Sequence, residues 1–500
     1  MVGFQSPCVY IWLILFCVKT NGEDVDVLVL LPKDNSYLFS ISMVRPAIEY
    51  AKKMIKLDTG FYSGLNFSVQ YENSGCGSNA LFSLVDRAFK KKPDLILGPV
   101  CEYAAADVVR MASHWDIPVI SAGALAVGFK RKEGDYSHLT RIAPSYLKMA
   151  EIFSAMFHRF KWQNVLLVFD DDKEERNCYF TAEAVHSVLE PEELSMSVHV
   201  INSKHYNVDT DEIMNRISES QAVVIMCAGN DIIRDIMLAA YWRKLTNASY
   251  IYFSIELFNS SSYGNGSWKR GDRYDSEAKQ AFASLNTVTL LRTVKPEFES
   301  FSIEMMKSVN SAGVLDQYSG DNMNVFMEGF HDALHLYALA LHDIMKNGSD
   351  KKDGKQITQN MWNRTFEGIA GQVSIDSNGD RNGDFSVMTM MDPEDGTYKA
   401  VLNYFGANGS LQTLPGFSSN RFTLTERYET PNPDKSSGGL EVSTVTCISV
   451  GAVMSTLLVM AVYFFRKKYK IIIERQCQQE QHSLRKHHHL REDTIAFSMA

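Results

Sequence analysis

A stretch of 24 residues without one formal charge, 442–465, constrains this 500-residue chain more than any other feature. At about 1.5 Å rise per residue a helix of that length reaches roughly 36 Å, enough to cross the hydrocarbon of a bilayer with some tilt. Arg466-Lys467-Lys468-Tyr469-Lys470 follows at once. Positive charge marks that flank as cytoplasmic, and Tyr463, Phe464 and Phe465 fall where an interfacial aromatic belt would lie. A buried core helix would not end in such a run of cations.

A second apolar segment, 8–18, is too short to span and is followed by the polar Lys19-Thr20-Asn21-Gly22. It has the length of a signal-peptide core, although no Lys or Arg precedes Lys19. A buried strand is the alternative. The expected organisation is a signal peptide at 1–22, an extracellular ligand-binding region at 23–429, a Pro/Ser/Gly-rich stalk at 430–441, a transmembrane helix at 442–465 and a cytoplasmic tail at 466–500. The chain is thus expected at the cell membrane, as a single-pass type I protein.

Charge and cysteine usage fit that topology. Of the formal net charge of −9, the tail contributes +4 and the leader +1, leaving −14 on the extracellular part. Such acidity favours a cationic partner and disfavours nucleic acid. Four cysteines remain outside, Cys76, Cys101, Cys178 and Cys227, and four allow three pairings. Seven N-x-S/T sequons, at Asn66, Asn247, Asn259, Asn265, Asn347, Asn363 and Asn408, all lie on the extracellular side.

Short Val/Ile/Leu runs alternate with helical-period stretches. Strands are predicted at 25–31, 65–71, 94–100, 117–121, 164–169, 196–201, 222–227, 250–255 and 287–291. Helices are predicted between them, for example at 42–56, 80–90, 104–114, 148–160, 180–189, 232–244 and 324–345. Nearly continuous apolar strands separated by helices imply parallel sheets covered on both faces, an α/β doubly wound class. One open sheet rarely carries so many strands, so two lobes with a cleft at the carboxyl ends are expected. Cys76 and Cys101 each follow a strand of one such sheet, which makes their pairing geometrically reasonable. Cys178 and Cys227 share the later region. After Gly371 the pattern turns to strand and turn, a hairpin or meander.

Catalytic signatures are weak. Neither GxxxxGK[ST] nor a GxGxxG following a strand occurs. A tail of about 35 residues is far below the usual size of a catalytic domain, so no enzyme is expected on it. His331 and His335 sit at i, i+4, a zinc spacing, but Asp332 stands where a metalloprotease needs Glu. Asp376-x-Asn378-x-Asp380 begins like a calcium loop, yet Arg381 takes the sixth position and Val387 the twelfth. No metal site is expected. The helix start at 101–106 could hold an anion on its free N–H groups, or be an ordinary turn. The basic cluster 485–491 suits anionic lipid or a cytosolic partner, or a solvated tail.

Several long strings carry a resemblance: ILGPVCEYAAADVVRMASHWDIPVISAGA, DDKEERNCYF, ELFNSSSYGNGSWKRGD, TVTLLRTVKPEFE, MWNRTFEGIAGQVSIDSNGDRNGDFSV and FFRKKYKIIIERQCQQE. Together they resemble natriuretic peptide receptors of the clearance type, type C, over nearly the whole chain from about Asp24. The resemblance implies a bilobal fold like that of type I periplasmic binding proteins. It implies a homodimer holding one hormone peptide (atrial, brain or C-type), clearance by internalisation without guanylate cyclase activity, and coupling to inhibitory G proteins through the tail. It implies a chloride ion beside the first disulfide, at Ser74, Val100 and Cys101, and peptide contacts at Tyr103, Arg110, Asp135, Tyr136, Tyr179, Phe180 and Glu183. Asp135 stands where the family carries Glu. Asp434 stands where the type C stalk carries the Cys of an interchain disulfide, which leaves Cys447 as the alternative crosslinking residue and the short-tailed type D of fishes as a close alternative. The segment 411–430 matches poorly. A bilobal receptor for another peptide or a small molecule is the alternative function.

Overall fold

The computed structural model describes residues 23–424 except 59–63, 174, 204–207, 221–222, 258–266, 292–294, 312, 314–324 and 395. The expected signal peptide, stalk, membrane helix and tail, with Asp434 and Cys447, lie outside the described residues, as do Asn259 and Asn265. Among the described residues no helix is long and apolar enough to cross a membrane.

The chain begins by alternating strand and helix: β1 (Glu23–Leu31), α1 (Ile41–Leu57), β2 (Leu65–Asn73), α2 (Asn79–Lys90), β3 (Leu95–Leu97), α3 (Glu102–His114), β4 (Val119–Ser121) and β5 (Leu139–Pro144). These strands pair in parallel in the order β2-β1-β3-β4-β5. The apolar run of β1 explains why both faces are covered. Val25, Val27, Val29 and Leu31 pack with Val44 and Ile48 of α1, while Leu28 and Leu30 pack with Ala105 and Val108 of α3. Side chains alternate between faces along a strand, so an unbroken apolar run serves two helical layers.

A second unit repeats the pattern. It comprises α4 (Tyr146–Phe160), β6 (Asn164–Asp170), α5 (Asn177–Leu189), β7 (Ser195–Ile201), α6 (Thr210–Ser220), β8 (Val223–Cys227), α7 (Asn230–Trp242), β9 (Ile251–Ile255), α8 (Asp275–Phe282) and β10 (Leu285–Leu290). Its parallel order, β7-β6-β8-β9-β10, is the same permutation. The chain then returns to the first lobe with α9 (Pro296–Ser311), α10 (Val325–Lys346), α11 (Gly354–Met361), β11 (Arg364–Glu367), β12 (Gln372–Ile375) and β13 (Asp380–Arg381). It finishes in the second with β14 (Asp384–Asp392), β15 (Thr397–Phe405) and β16 (Ser410–Thr413). Each lobe thus holds an eight-stranded sheet, β11-β12-β13-β5-β4-β3-β1-β2 and β16-β15-β14-β10-β9-β8-β6-β7. The two-lobed α/β architecture with parallel-dominated sheets agrees with the sequence expectation.

Two differences from the sequence reading have a physical cause. The run LTRIAP is strand β5, although Arg141 interrupts its apolar pattern. That arginine is only 1% exposed because Asp380 neutralises it from β13. The strand-and-turn region after Gly371 is not one meander. Its β12 and β13 join the first sheet, and only β14, β15 and β16 form an antiparallel meander on the second.

Both disulfides form at the carboxyl ends of parallel strands, Cys76–Cys101 and Cys178–Cys227, each with Cα atoms 5.3 Å apart. Cys101 follows β3 and Cys227 ends β8, the equivalent strands of the two lobes. Those are the edges where a doubly wound sheet presents its ligand-binding crevice.

Candidate functional site

Helix α3 organises the region. Cys101 stands at its N-cap position with extended backbone, and its sulfur is committed to Cys76 rather than to a cap. Glu102, in the first turn, points inward and accepts hydrogen bonds from the backbone N–H of Leu125 at 2.9 Å and of Ala126 at 3.2 Å. From the other side Arg141 Nη1 donates to the carbonyls of Ala124 and Ala126, both at 3.1 Å. The loop 124–126 is therefore held between a carboxylate and a guanidinium. Gly123 makes that possible, since a Cβ there would lie 2.3 Å from the Val100 carbonyl oxygen. Burial pushes the Glu102 carboxyl up to about 7, against the opposing pull of the two N–H donors and Arg141.

Arg141 continues inward to a fork with Asp380. Lys132 Nζ also reaches Asp380 Oδ1, at 3.1 Å, and donates to the Leu139 carbonyl. Burial works to raise the Asp380 carboxyl, but Arg141 and Lys132 outweigh it and hold the group well below the usual carboxylate range. Lys132 is pushed down to about 8 by burial and by Arg141, Asp380 opposing.

The outer face of α3 carries Tyr103, Asp107 and Arg110 at i, i+4 and i+7, which share one side of a helix. Tyr103 is 44% exposed and meets Phe180 of α5 edge-on at 5.9 Å. Phe180 meets Tyr179 at 5.4 Å, and Tyr179 meets Phe169 at 6.1 Å. Arg176 lies over the Tyr179 ring at 3.9 Å and forks onto both oxygens of Asp171 at 2.9 Å. It also shares a hydrogen bond with Tyr103. That hydrogen-bonded fork, chiefly, holds Asp171 well below the usual carboxylate range although burial opposes it. Glu183, one turn beyond Tyr179, is raised by burial, with Arg176 opposing. Two turns along α3, Arg110 Nε donates to Asp135 at 3.2 Å and lies 5.2 Å over the Tyr136 ring, which packs on Phe129 at 4.9 Å.

The structure thus gathers all seven expected contact residues along α3. Tyr103, Tyr179 and Phe180 meet across the two lobes, with Glu183 one turn further along α5, and Arg110, Asp135 and Tyr136 form a second group within the first. Arg176 and Asp171, which tie the first group together, were missed. Their one sequence signal is the charged run DDKEER, which does not say which members pair. The surface combines the exposed ring of Tyr103 and the half-buried rings of Tyr179 and Phe180 with arginines, the residue types that anchor peptides, while Tyr136 is buried beneath Arg110.

The remaining candidates separate. Ser74 is buried; its N–H donates to the Leu31 carbonyl and its hydroxyl to the Gly75 carbonyl. Val100 is buried and accepts from the Ala124 N–H at 3.0 Å. Both lie at the loops joined by Cys76–Cys101. His331 is buried against Phe301, with Nδ1 2.9 Å from Asp332, while His335 packs edge-on to Phe366. The Asp376–Asp380 turn meets cations of the protein itself, Asp380 binding Arg141 and Asp376 binding Lys148 at 3.2 Å. Asn66, Asn247, Asn347, Asn363 and Asn408 are all exposed.

Comparison with known proteins extends this picture. A receptor family ligand binding region matches residues 43–392, a span taking in both lobes. The chain is 54% identical to atrial natriuretic peptide receptor 3 of Homo sapiens over 96% of its own length and 91% of that protein's. It is 55% identical to the Mus musculus protein of the same name, over 96% and 92%. To atrial natriuretic peptide receptor 2 of Rattus norvegicus it is 30% identical, over 78% of this chain and 38% of that one.

Proposed function

This chain belongs to the natriuretic peptide receptor family, and on that footing we propose that it is a single-pass cell-surface receptor that binds natriuretic peptide hormones and clears them by internalisation, without guanylate cyclase activity. The observation that carries this reading is the match to receptor 3 proteins across nearly their whole length, against 38% of receptor 2. The aromatic and arginine surface on α3 and α5 supports it, because a peptide hormone needs rigid anchors and charged partners. The seven residues gathered there are the proposed peptide contacts.

A homodimer is supported by α2. Phe82 and Phe89 lie two turns apart on that helix at 61% and 85% exposure, an apolar face suited to a self-complementary contact. Chloride is proposed beside Cys76–Cys101. The first-turn amides of α3 have no intrahelical acceptors and suit an anion. Ser74 joins them once its hydroxyl turns from the Gly75 carbonyl. The exposed sequons suit glycosylation, and the basic tail segment 485–491 suits coupling to inhibitory G proteins.

The test is binding of labelled C-type natriuretic peptide to cells expressing the chain, with uptake followed and gel mobility compared with and without reductant. Saturable binding with uptake is expected. Absence of binding to atrial, brain and C-type peptides alike would defeat the hormone reading.

A further inference from the structure

The second sheet has two edges with different contents. Its carboxyl edge carries the first turn of α5 and the rings beside it. Its amino edge carries the loops that enter β6, β9 and β10, and the last described segment of the chain is pinned there. Trp162, just before β6, donates from Nε1 to the Phe422 carbonyl at 2.9 Å. Arg421 donates from Nη2 to the carbonyls of Ala283 and Leu285 at 2.6 and 3.2 Å. Ser284, between those two, donates from Oγ to the Thr246 carbonyl at 3.1 Å, so the loop between α7 and β9 adjoins the exit. Seventeen residues, 425–441, separate Leu424 from the uncharged stretch 442–465. Fully extended they reach at most about 60 Å. The amino edge is therefore the face of the lobe tethered most closely to that stretch.

This edge also carries the one fully exposed tryptophan among the described residues. Trp242, the last residue of α7, is 53% exposed, whereas Trp162 is buried and Trp115, Trp268 and Trp362 are half-buried. Its ring meets Tyr274 edge-on at 5.4 Å, and Arg273 lies over the Tyr274 ring at 4.5 Å. Arg243 and Lys244 follow Trp242 and are exposed, as is Lys161 in the loop entering β6. Arg243 pairs with Asp211 at 2.5 Å. Glu190 and Glu193 lie at the far margin, before β7. Amphipathic Trp and Tyr rings favour the headgroup level of a bilayer, and Lys and Arg beside them meet lipid phosphates. A second copy of the chain would bring the same cations to the contact, whereas phosphates neutralise them. Asn247, in the same loop, turns its Nδ2 back to the Lys244 carbonyl at 3.2 Å. A glycan on it would enter the polar headgroup layer, not the hydrocarbon.

We propose that the amino edge of the second lobe docks on the surface of the bilayer that holds the chain's own membrane span, with Trp242 and Tyr274 at headgroup level and Lys161, Lys244 and Arg273 against lipid phosphates. The proposal rests on reading 442–465 as a membrane span and is independent of hormone binding. Little intrinsic affinity is needed, because the tether keeps the bilayer at high effective concentration. An edge held on the bilayer turns the opposite edge, with the first turn of α5, away from it.

The test uses the full-length chain in phosphatidylcholine nanodiscs whose acyl chains carry bromine, a contact quencher of tryptophan. The stretch 442–465 holds no tryptophan, so the span itself gives no signal. Retention of the chain in the disc first establishes the span. Bromine near the headgroups is expected to remove about a fifth of the emission, the share of one tryptophan among the five beyond the expected leader, and bromine at the bilayer centre clearly less. Trp242→Phe should abolish that loss, and Lys244→Glu combined with Arg273→Glu should roughly halve it or more. Asn247→Gln should leave it intact. Thermal unfolding midpoints show that each variant folds. A retained chain without quenching, or quenching that survives Trp242→Phe, would overturn the docking and leave the span standing. A chain that is not retained would overturn the span, and the docking with it.

Discussion

Arg141 and Asp380 stand 239 residues apart in sequence and meet in a buried fork, Nε to Oδ1 and Nη2 to Oδ2, both at 2.7 Å. The pair joins β5, the last strand before the chain first leaves the lobe, to β13, the last before it leaves again. Removing one partner of a buried pair leaves an uncompensated charge and costs about 3–5 kcal/mol. Here the two sides are unequal. Arg141→Met leaves Asp380 with Lys132 as a partner, whereas Asp380→Asn leaves two cations buried together. Urea unfolding is expected to show Asp380→Asn as the more damaging change.

Glu102 and Asp380 give opposite pH signatures. The Asp380 carboxyl is depressed, so its contribution is present above the unfolded value of about 3.9 and is lost as pH falls through the lower folded value. The Glu102 carboxyl is raised to about 7, so the native state binds the extra proton, and stability falls as pH rises from the ordinary value of 4.5 toward 7. The slope in that window is at most about 1.4 kcal/mol per pH unit from this one group. Glu102→Gln is expected to flatten it in unfolding midpoints taken across the window. The variant also loses one of the two carboxylate oxygens that accept from the Leu125 and Ala126 N–H groups, at a cost of about 1–3 kcal/mol.

Much of this was legible because it rests on local pattern. The strands at 164–169 and 222–227 are continuous apolar runs, and the structure ends them within one residue of the predicted bounds. Helix α3 was visible from its alanines and valines. Strand β5 was not, because a charged residue inside a core strand is intelligible only once Asp380 is seen to come back from the end of the chain. Arg176 was hidden for a similar reason. It sits at positive φ in a polar loop, and nothing in its neighbours says that Asp171 will fix it over Tyr179.

The α2 face offers a direct check on assembly. Phe82 and Phe89 project to solvent from one side of the helix, and a charge there is incompatible with an apolar contact between copies. Phe89→Glu is expected to weaken self-association roughly tenfold or more, since exposed aromatics at such faces carry a large share of contact energy. Sedimentation of the detergent-solubilised chain reads it. Both positions are exposed, so the unfolding midpoint should hardly move.

The disulfides should differ in what they control. Cys76–Cys101 closes a separation of 25 residues and Cys178–Cys227 one of 49, giving about 3.5 and about 4 kcal/mol by loop closure. Replacing Cys178 and Cys227 together by Ser should therefore lower the unfolding midpoint slightly more. With the proposed chloride site, Cys76 and Cys101 replaced together should add a second effect, an altered dependence of peptide affinity on chloride concentration, because that bridge joins the loop of Ser74 to the first turn of α3.

Arg176 is the most informative residue of the proposed peptide surface. Its guanidinium does three things at once: it forks onto Asp171, covers the Tyr179 ring and shares a hydrogen bond with Tyr103 of the other lobe. A lysine retains the charge but supplies neither the planar fork nor the stacking face. If geometry matters more than charge, Arg176→Lys should lose nearly as much affinity for labelled C-type natriuretic peptide as Arg176→Ala, each about 10- to 100-fold. If charge alone steers the hormone, Arg176→Lys should stay near the parent value and Arg176→Ala should lose mainly in association rate and in salt dependence. Tyr103→Phe separates the hydrogen bond from the ring. It keeps the edge contact with Phe180, and its expected loss is only about 1 kcal/mol, the worth of a single hydrogen bond. A larger loss in Tyr103→Phe would mean that the hydroxyl, through Arg176, sets how the two lobes present their aromatic rings to the peptide.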